Sequence, residues 1–495
     1  MKTIAFILLI FSSVCHSQII NFPDANFKNA LVNTSCVDTN GNGVGDIDAD
    51  TNNDGEIQES EAEAVIGLNV DGQNISSLEG IQYFTNILDL RCRDNQINNL
   101  SVNLNPNIEI LFIGRNLLTN LDVSQYSKLI RLSCYINPLT NLDVSQNPNL
   151  VYLSCNSSQL TSLDLTQNLN LVDLSCAYNQ LSSLNVSQNP NLESLNAIGN
   201  QFTSLDISQN PNLEYLYCAD NLLTNLNLTQ NTNLVYLNCG DNQLSNLDVT
   251  QNPNLEDLSC WSNQITNLDL SQNSNLKSLG CTNNQLSNID VTQNTNLEDL
   301  LCQSNQITTL DLSENPNLKF LSSDNNQLSS LDMSHNHNLE RLTCNSNLLT
   351  SLNIKNGNNH NLFDLQTLNN TGLTCITVDN INYASNQTCN SSFGWCKDSW
   401  TGYNENIGDE CILGIVELEN VEINVFPNPV KDNLYISSNY KLKSVHIFNA
   451  MGQKVFFEEN YNTNEINVSS LSKGVYFLKL TDMEDRKTIK RFITE

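Results

Sequence analysis

The feature that most constrains this chain is a strict period. Cysteines stand at positions 92, 134, 155, 176, 218, 239, 260, 281, 302 and 344, all on one arithmetic series with a step of 21. The open slots of that series hold Ile113, Ala197 and Ser323, so thirteen units run in register. An asparagine follows three residues after the slot in nearly every unit, as at Asn95, Asn116, Asn263 and Asn347. Units this short cannot each enclose a core. They must bury their apolar residues against their neighbours, which makes a solenoid. A hydrophobic share of 39% is low for a globule and suits a thin coil with one narrow seam.

One unit reads Leu255-Glu-Asp-Leu258-Ser-Cys260-Trp-Ser-Asn263-Gln-Ile265-Thr-Asn-Leu268-Asp-Leu270-Ser-Gln-Asn273. Leu258 and Cys260 alternate with Asp257, Ser259 and Trp261, which predicts a short strand with its apolar pair turned inward. Ile265, Leu268 and Leu270 keep the seam apolar on the return path. The asparagine side chain can bond the backbone of the following turn, and stacked copies would form a ladder. The periodic cysteines read as packed, reduced thiols. In-register strands would hold them ~4.8 Å apart, beyond the ~3.8 Å between Cβ atoms that a disulfide needs. Replacement by Ile, Ala and Ser also argues against a metal ladder.

The unit resembles the leucine-rich repeat pattern L-x-x-L-x-L-x-x-N-x-L, with cysteine in the third apolar slot. The phrase Leu78-Glu-Gly-Ile81 resembles the leading repeats of internalin-like proteins. The expected architecture is a β-rich repeat solenoid over 68–368, with parallel strands on its concave face. Residues 1–17 read as a signal peptide: Lys2, an apolar run from Ile4 to Phe11, and a small polar exit ending at Ser17. Val14 does not suit lipidation of Cys15.

The solenoid's ends need covers. The N-terminal cap, 18–67, opens on a short amphipathic helix from Asp24 to Leu31 and continues as an acidic stretch. There Asp50, Asn52, Asp54, Gly55 and Glu61 match the EF-hand loop D-x-[DN]-x-[DN]-G-x5-E, with the carbonyl of Glu56 as a further oxygen. A structural calcium ion is the expected occupant; the alternative is an acidic turn without an ion. Asp38, Asn40 and Asn42 begin a weaker second loop, with Ala49 where a bidentate glutamate belongs. The C-terminal cap, 369–416, carries Cys375, Cys389, Cys396 and Cys411. In an exported chain these read as two disulfides, with three pairings open. They contain no C-x-x-C, which weakens a zinc reading. Cys36 has no assigned partner.

Residues 421–495 differ in texture, carrying ten basic against nine acidic residues in a chain of formal charge −31. Alternating strands and Gly-containing turns predict a small antiparallel β-sandwich. Its series Phe426-Pro-Asn-Pro-Val430, Ile447-Phe-Asn-Ala-Met-Gly-Gln-Lys-Val455 and Leu471-Ser-Lys-Gly-Val-Tyr-Phe-Leu-Lys-Leu480 resembles the type A C-terminal sorting domain of the Bacteroidetes type IX secretion system. The resemblance implies partnership with that machinery and translocation across the outer membrane. The cargo would be secreted or attached to the cell surface.

The acidic body repels phosphate backbones, so nucleic acid is not an expected partner. After the signal no apolar run reaches the ~20 residues that cross a bilayer as a helix. There is no H-E-x-x-H, G-x-S-x-G or P-loop, and an enzyme is not expected. The working surface is the strand face, where Tyr152, Tyr178, Tyr215, Tyr217, Tyr236 and Trp261 gather amid Ser, Asn and Asp. Such a group suits a protein or glycan ligand. Tyrosine as a plain strand former is the bland alternative. The expected function is a non-enzymatic, monomeric binding or adhesion protein; the alternative is a structural or protective surface component without a specific ligand.

Overall fold

The computed structural model describes residues 18–100, 104–390, 393–406, 411, 423–438, 441–450, 452–459, 461, 463–483 and 487–495. Residues 1–17, expected to be a signal peptide, lie outside them. The chain forms two compact units, Met1–Leu297 and Glu298–Glu495.

The first unit opens with the helix Ala25–Asn33, capped by Asp24, whose carboxylate accepts from the amides of Asn26 and Phe27. The other oxygen of Asp24 accepts from the amides of Ser76 and Ser77 and from the Ser76 hydroxyl, tying the helix to the first turn of the coil. Phe27, Ala30 and Leu31 are its buried face. The strand Val37–Asp38 pairs antiparallel with Gly67–Asn69, which covers the first edge of the ladder.

From there the ladder is parallel. Gly67–Asn69 pairs with Asp89–Arg91, and three-residue strands then follow at steps of 21 through Ser278–Gly280. The central leucine of each strand points inward, and the cysteine slot beyond it closes the core. Cys36 and the ten cysteines of the series are buried and form no disulfide. Burial pushes the thiols of Cys36, Cys134, Cys176, Cys218, Cys260 and Cys302 up to about 12.

Asparagine amides stitch the turns. The Asn242 side chain donates to the carbonyls of Cys218 and Cys239 and accepts from the amide of Leu223. A second ladder, not anticipated from the sequence, runs along the other side of the coil at Asn147, Asn168, Asn189, Asn210, Asn231, Asn252 and Asn273. Asn231, for example, donates to the carbonyls of Ile207 and Asn210 at 3.0 and 2.9 Å and is fully buried. One residue per turn, two beyond the cysteine slot, sits in the left-handed region. Asp220, Asp241 and even Ile136 (φ 50°) do so, the last at a cost of about 1–2 kcal/mol.

The second unit continues the pattern with Asp299–Leu301, Phe320–Ser322 and Arg341–Thr343. The next strand, Asp364–Gln366, comes two residues late, because a 3-10 turn at Asn359–Asn361 absorbs the slip. Parallel pairing does not stop at 368. Leu365 faces Trp395, and a second parallel sheet stacks Ser330–Asp332, Ser351–Asn353, Cys375–Thr377 and Gly402–Asn404. The cysteine-rich segment is thus built as further coils, pinned by the disulfides Cys375–Cys411 and Cys389–Cys396. The last residues form two antiparallel sheets. One holds Ile423–Phe426, Asn433–Ser438 and Glu465–Asn467. The other holds Lys454–Glu459, Leu442–Asn449, Gly474–Asp482 and Lys487–Thr494. Val430, Leu434, Val445, Ile447, Leu478 and Phe492 fill their core.

The buried thiols couple the stability of the fold to alkaline pH. A thiol raised in the folded state contributes stability that is fully present below the unfolded value near 8.5 and is lost as pH rises towards the folded one. Between pH 8.5 and 10.5 the Tm should fall by on the order of 10 °C or more. A variant with Val at 218, 239 and 260 should lose less over the same range, as read by thermal melts monitored by circular dichroism.

Candidate functional site

The ladder places side chains in columns, because in-register strands align equivalent residues side by side. In the first column Tyr215 faces Tyr236, and Tyr236 faces Asp257. Tyr217 lies in the neighbouring column, and its ring meets that of Tyr236 at 4.7 Å and 33°. Burial, then the neighbouring Tyr215, Asp257 and Asp173, hold the Tyr217 phenol above its ordinary range. Burial and Asp257 do the same to Tyr236. These phenols therefore stay neutral donors at physiological pH.

Trp261 stands one strand further on and lies flat across Gly240. A Cβ built at Gly240 would come within 2.3 Å of the indole, so only glycine leaves room for it. Tyr178 rests on Gly199 in the same manner, and Tyr135 on Gly114. Tyr215 and Trp261 remain 40% and 36% exposed. Four of the six predicted aromatics, Tyr215, Tyr217, Tyr236 and Trp261, thus occupy three successive rungs.

The other two lie elsewhere. Tyr178 sits in a turn and not in a strand. Tyr152 belongs to a different group, packed near Phe112 (6.2 Å between centroids) and beneath Arg131. That group, which also contains Arg91, Arg93, Arg115 and Tyr135, escaped the sequence reading. Its trace in the sequence is that four of the chain's seven arginines fall between 91 and 131.

The two acidic loops share one backbone pattern. In the first, Asp38 accepts from Gly43, Asn40 from the amide of Asn42, and Asn42 from Val44. In the second, Asp50 accepts from Gly55, Asn52 from Asp54, and Asp54 from Glu56. Glu61 reaches back to the Thr51 hydroxyl and the amides of Asn52 and Gln58. Glu56 pairs with Lys28. Asp50 and Glu61 are buried, and among the described residues neither pairs with a lysine or arginine. Their oxygens face the loop's own donors, and no group of three His, Cys, Asp or Glu is gathered for a metal among the described residues. Nor is any helix there long and apolar enough to cross a membrane.

Residues 424–495 match the family model of the secretion system C-terminal sorting domain. Among solved structures, the functional domain of InlJ from Listeria monocytogenes, described as including a cysteine ladder, is 26% identical with a TM-score of 0.62. The match covers 97% of this chain and 99% of that one. The chain is an internalin-like leucine-rich repeat solenoid with a type IX sorting domain. This leucine-rich repeat protein also matches a repeat protein of Leptospira interrogans (26% identity, TM-score 0.48, 58% and 92% of the two chains). An internalin, InlF, from Listeria monocytogenes matches at 21%, with a TM-score of 0.46, over 72% and 89%. No curated protein matches the sequence. The sorting domain makes the repeat protein an exported one, secreted or held at the outer surface.

The glycine beneath Trp261 gives a direct check on the aromatic group. Gly240→Ala should displace the indole and shift its emission to the red by several nanometres. Gly280→Ala, whose Cβ would approach no atom nearer than 3.4 Å, should leave the emission unchanged.

Proposed function

We propose that this protein is a non-catalytic binding module that engages an extracellular protein or glycan through Tyr215, Tyr217, Tyr236 and Trp261. The observation that carries the reading is the packed Tyr217–Tyr236 pair, flanked by exposed Tyr215 and by Trp261 fixed over Gly240. Aromatic rings of this kind give large contact area and lose little freedom on binding. The ladder beneath them is rigid, which lowers the ordering cost of association. Phenols held in their neutral form, with Asp257 beside them, supply donors and an acceptor for orientation.

Binding of the purified protein to a panel of glycans and matrix proteins tests this. Replacing the four aromatics by alanine should weaken the interaction at least tenfold, about 1.4 kcal/mol, with the Tm unchanged. Binding that survives the replacement would move the function to another surface, and the absence of binding by either form would favour a structural role.

Calcium in the Asp50–Glu61 loop is the second element of the proposal. Two buried carboxylates without a cationic partner and an all-oxygen donor set support it. Asp50, Asn52, Asp54, Glu61 and the Glu56 carbonyl would hold the ion, and Asp38, Asn40 and Asn42 a weaker one. The ion would neutralise the loop and stiffen the cap. Millimolar calcium should raise the Tm of EDTA-treated protein by a few degrees, and Glu61→Gln should abolish that rise; an unchanged Tm would remove the ion from the account.

A further inference from the structure

The Arg131 guanidinium lies over the Tyr152 ring at 4.5 Å and 6.0 Å from the Phe112 centroid. Arg91 and Arg93 approach the same Phe112 ring at 5.0 and 5.5 Å. Arg115 lies 6.0 Å from Tyr135, the ring that covers Gly114. Three successive strands, Asp89–Arg91, Ile110–Phe112 and Arg131–Ser133, with Tyr152 on the fourth, thus bring these groups together.

The four arginines are not equivalent. Arg91 is held by Asp89 (2.9 Å) and packed on Gly43, where a Cβ would collide with its guanidinium. Arg93 is held by Asp71 through two donors and by its own amide. Arg115 approaches Asp94 at 3.7 Å. Arg131 is exposed and makes no ion pair or side-chain hydrogen bond among the described residues. Asp173, two strands further in the same column, feels its charge but does not pair with it. The result is one exposed guanidinium held against Tyr152 with no ion pair among the described residues, on a surface whose other three arginines each have a carboxylate partner.

We propose that the Arg131–Tyr152–Phe112 cluster is a second docking surface, separate from the tyrosine–tryptophan group, and that it receives a carboxylate-bearing polypeptide segment. Charge complementarity sets the sign, because the cluster's one uncompensated charge is positive in a body that is otherwise strongly acidic. A carboxylate suits it, since two parallel N–H donors meet two oxygens. Arginine beside Tyr and Phe is the residue set that dominates protein interfaces. Contact with the Tyr152 ring restrains the guanidinium beforehand, which lowers the freedom lost on binding. The surface is three strands from Tyr215, about 14 Å along the ladder, so either surface can work without the other.

The test uses the full chain at physiological ionic strength and three probes followed by NMR titration. They are a capped Gly-Glu-Tyr-Glu-Gly peptide, the same peptide with Gln for Glu, and a hyaluronan oligosaccharide. The Glu peptide should bind about tenfold more tightly than its Gln counterpart. Arg131→Gln should remove that preference, and Arg131→Lys should lose most of it, because lysine keeps the charge without the planar fork. Lys128→Gln, which removes an exposed charge three residues away, should leave it intact. Equal binding of both peptides, or a preference that survives Arg131→Gln, would overturn the proposal. So would Arg131-dependent binding of hyaluronan without binding of the peptide, which would make the surface a glycan site.

Discussion

A coil of three-residue strands leaves most of its backbone outside any sheet, and its interior carbonyls must still be satisfied. An unmet buried carbonyl costs about 1–3 kcal/mol, and here the partners are asparagine side chains. Asn242 donates to the carbonyls of Cys218 and Cys239 and accepts from Leu223. Asn231 does the donating on the opposite side, to Ile207 and Asn210. The amide is the group that fits: aspartate would offer no donor and would bury a charge, and glutamine is a methylene too long for the same reach. Two such ladders fix the step at 21. A slip of one residue would take both amides off their carbonyls and turn each Leu-x-Cys pair to solvent.

The same registration writes the outer surface as columns, so neighbours in space are residues 21 apart in sequence. Rings gain fixed seats where a glycine falls on an adjacent rung, as Trp261 on Gly240, Tyr178 on Gly199 and Tyr135 on Gly114. Arginines gain theirs from rings or carboxylates one rung away. Side chains mounted this way share the stiffness of the core, because moving a ring means moving a strand. A surface of this kind holds its geometry before any ligand arrives.

What the period carries was legible, and what departs from it was not. The inward thiols, the first asparagine ladder and the parallel strands follow from spacing alone. The second ladder has an equally strict spacing, yet Asn231 and its equivalents sit among Pro, Gln and Ser, where asparagine reads as a turn former. The coils beyond 368 were hidden because the step lengthens to 23 residues at Asp364 and to 30 at Trp395. A broken period reads as a cap. Disulfide pairing depended on which cysteines those coils bring together, which no spacing gives. The arginine cluster was invisible for a third reason. Its members spread over four repeats, and a net charge of −31 masks a local excess of arginine.

Part of that negative charge comes from one column of the coil. At one slot of each turn a side-chain oxygen accepts from the amide two residues on: Asp143 from Ser145, Asp206 from Ser208, Asp248 from Thr250, Asp269 from Ser271. The exposed carboxylates of this column are stabilised in their charged form by these bonds. At Asn185 and Asn227 the same slot holds a neutral amide and keeps the same bond at 3.1 Å. The turn therefore needs an acceptor and not a charge. Aspartate at most of these positions adds repulsion between rungs about 4.8 Å apart, which works against the stack. The fold tolerates it because the carboxylates point into water, where solvent and salt screen the repulsion. Negative charge repeated along most of the column favours solubility of the folded chain. On such a surface Arg131 is a local reversal of sign, and the tyrosine and tryptophan rings beside Asp257 offer apolar area between the carboxylates.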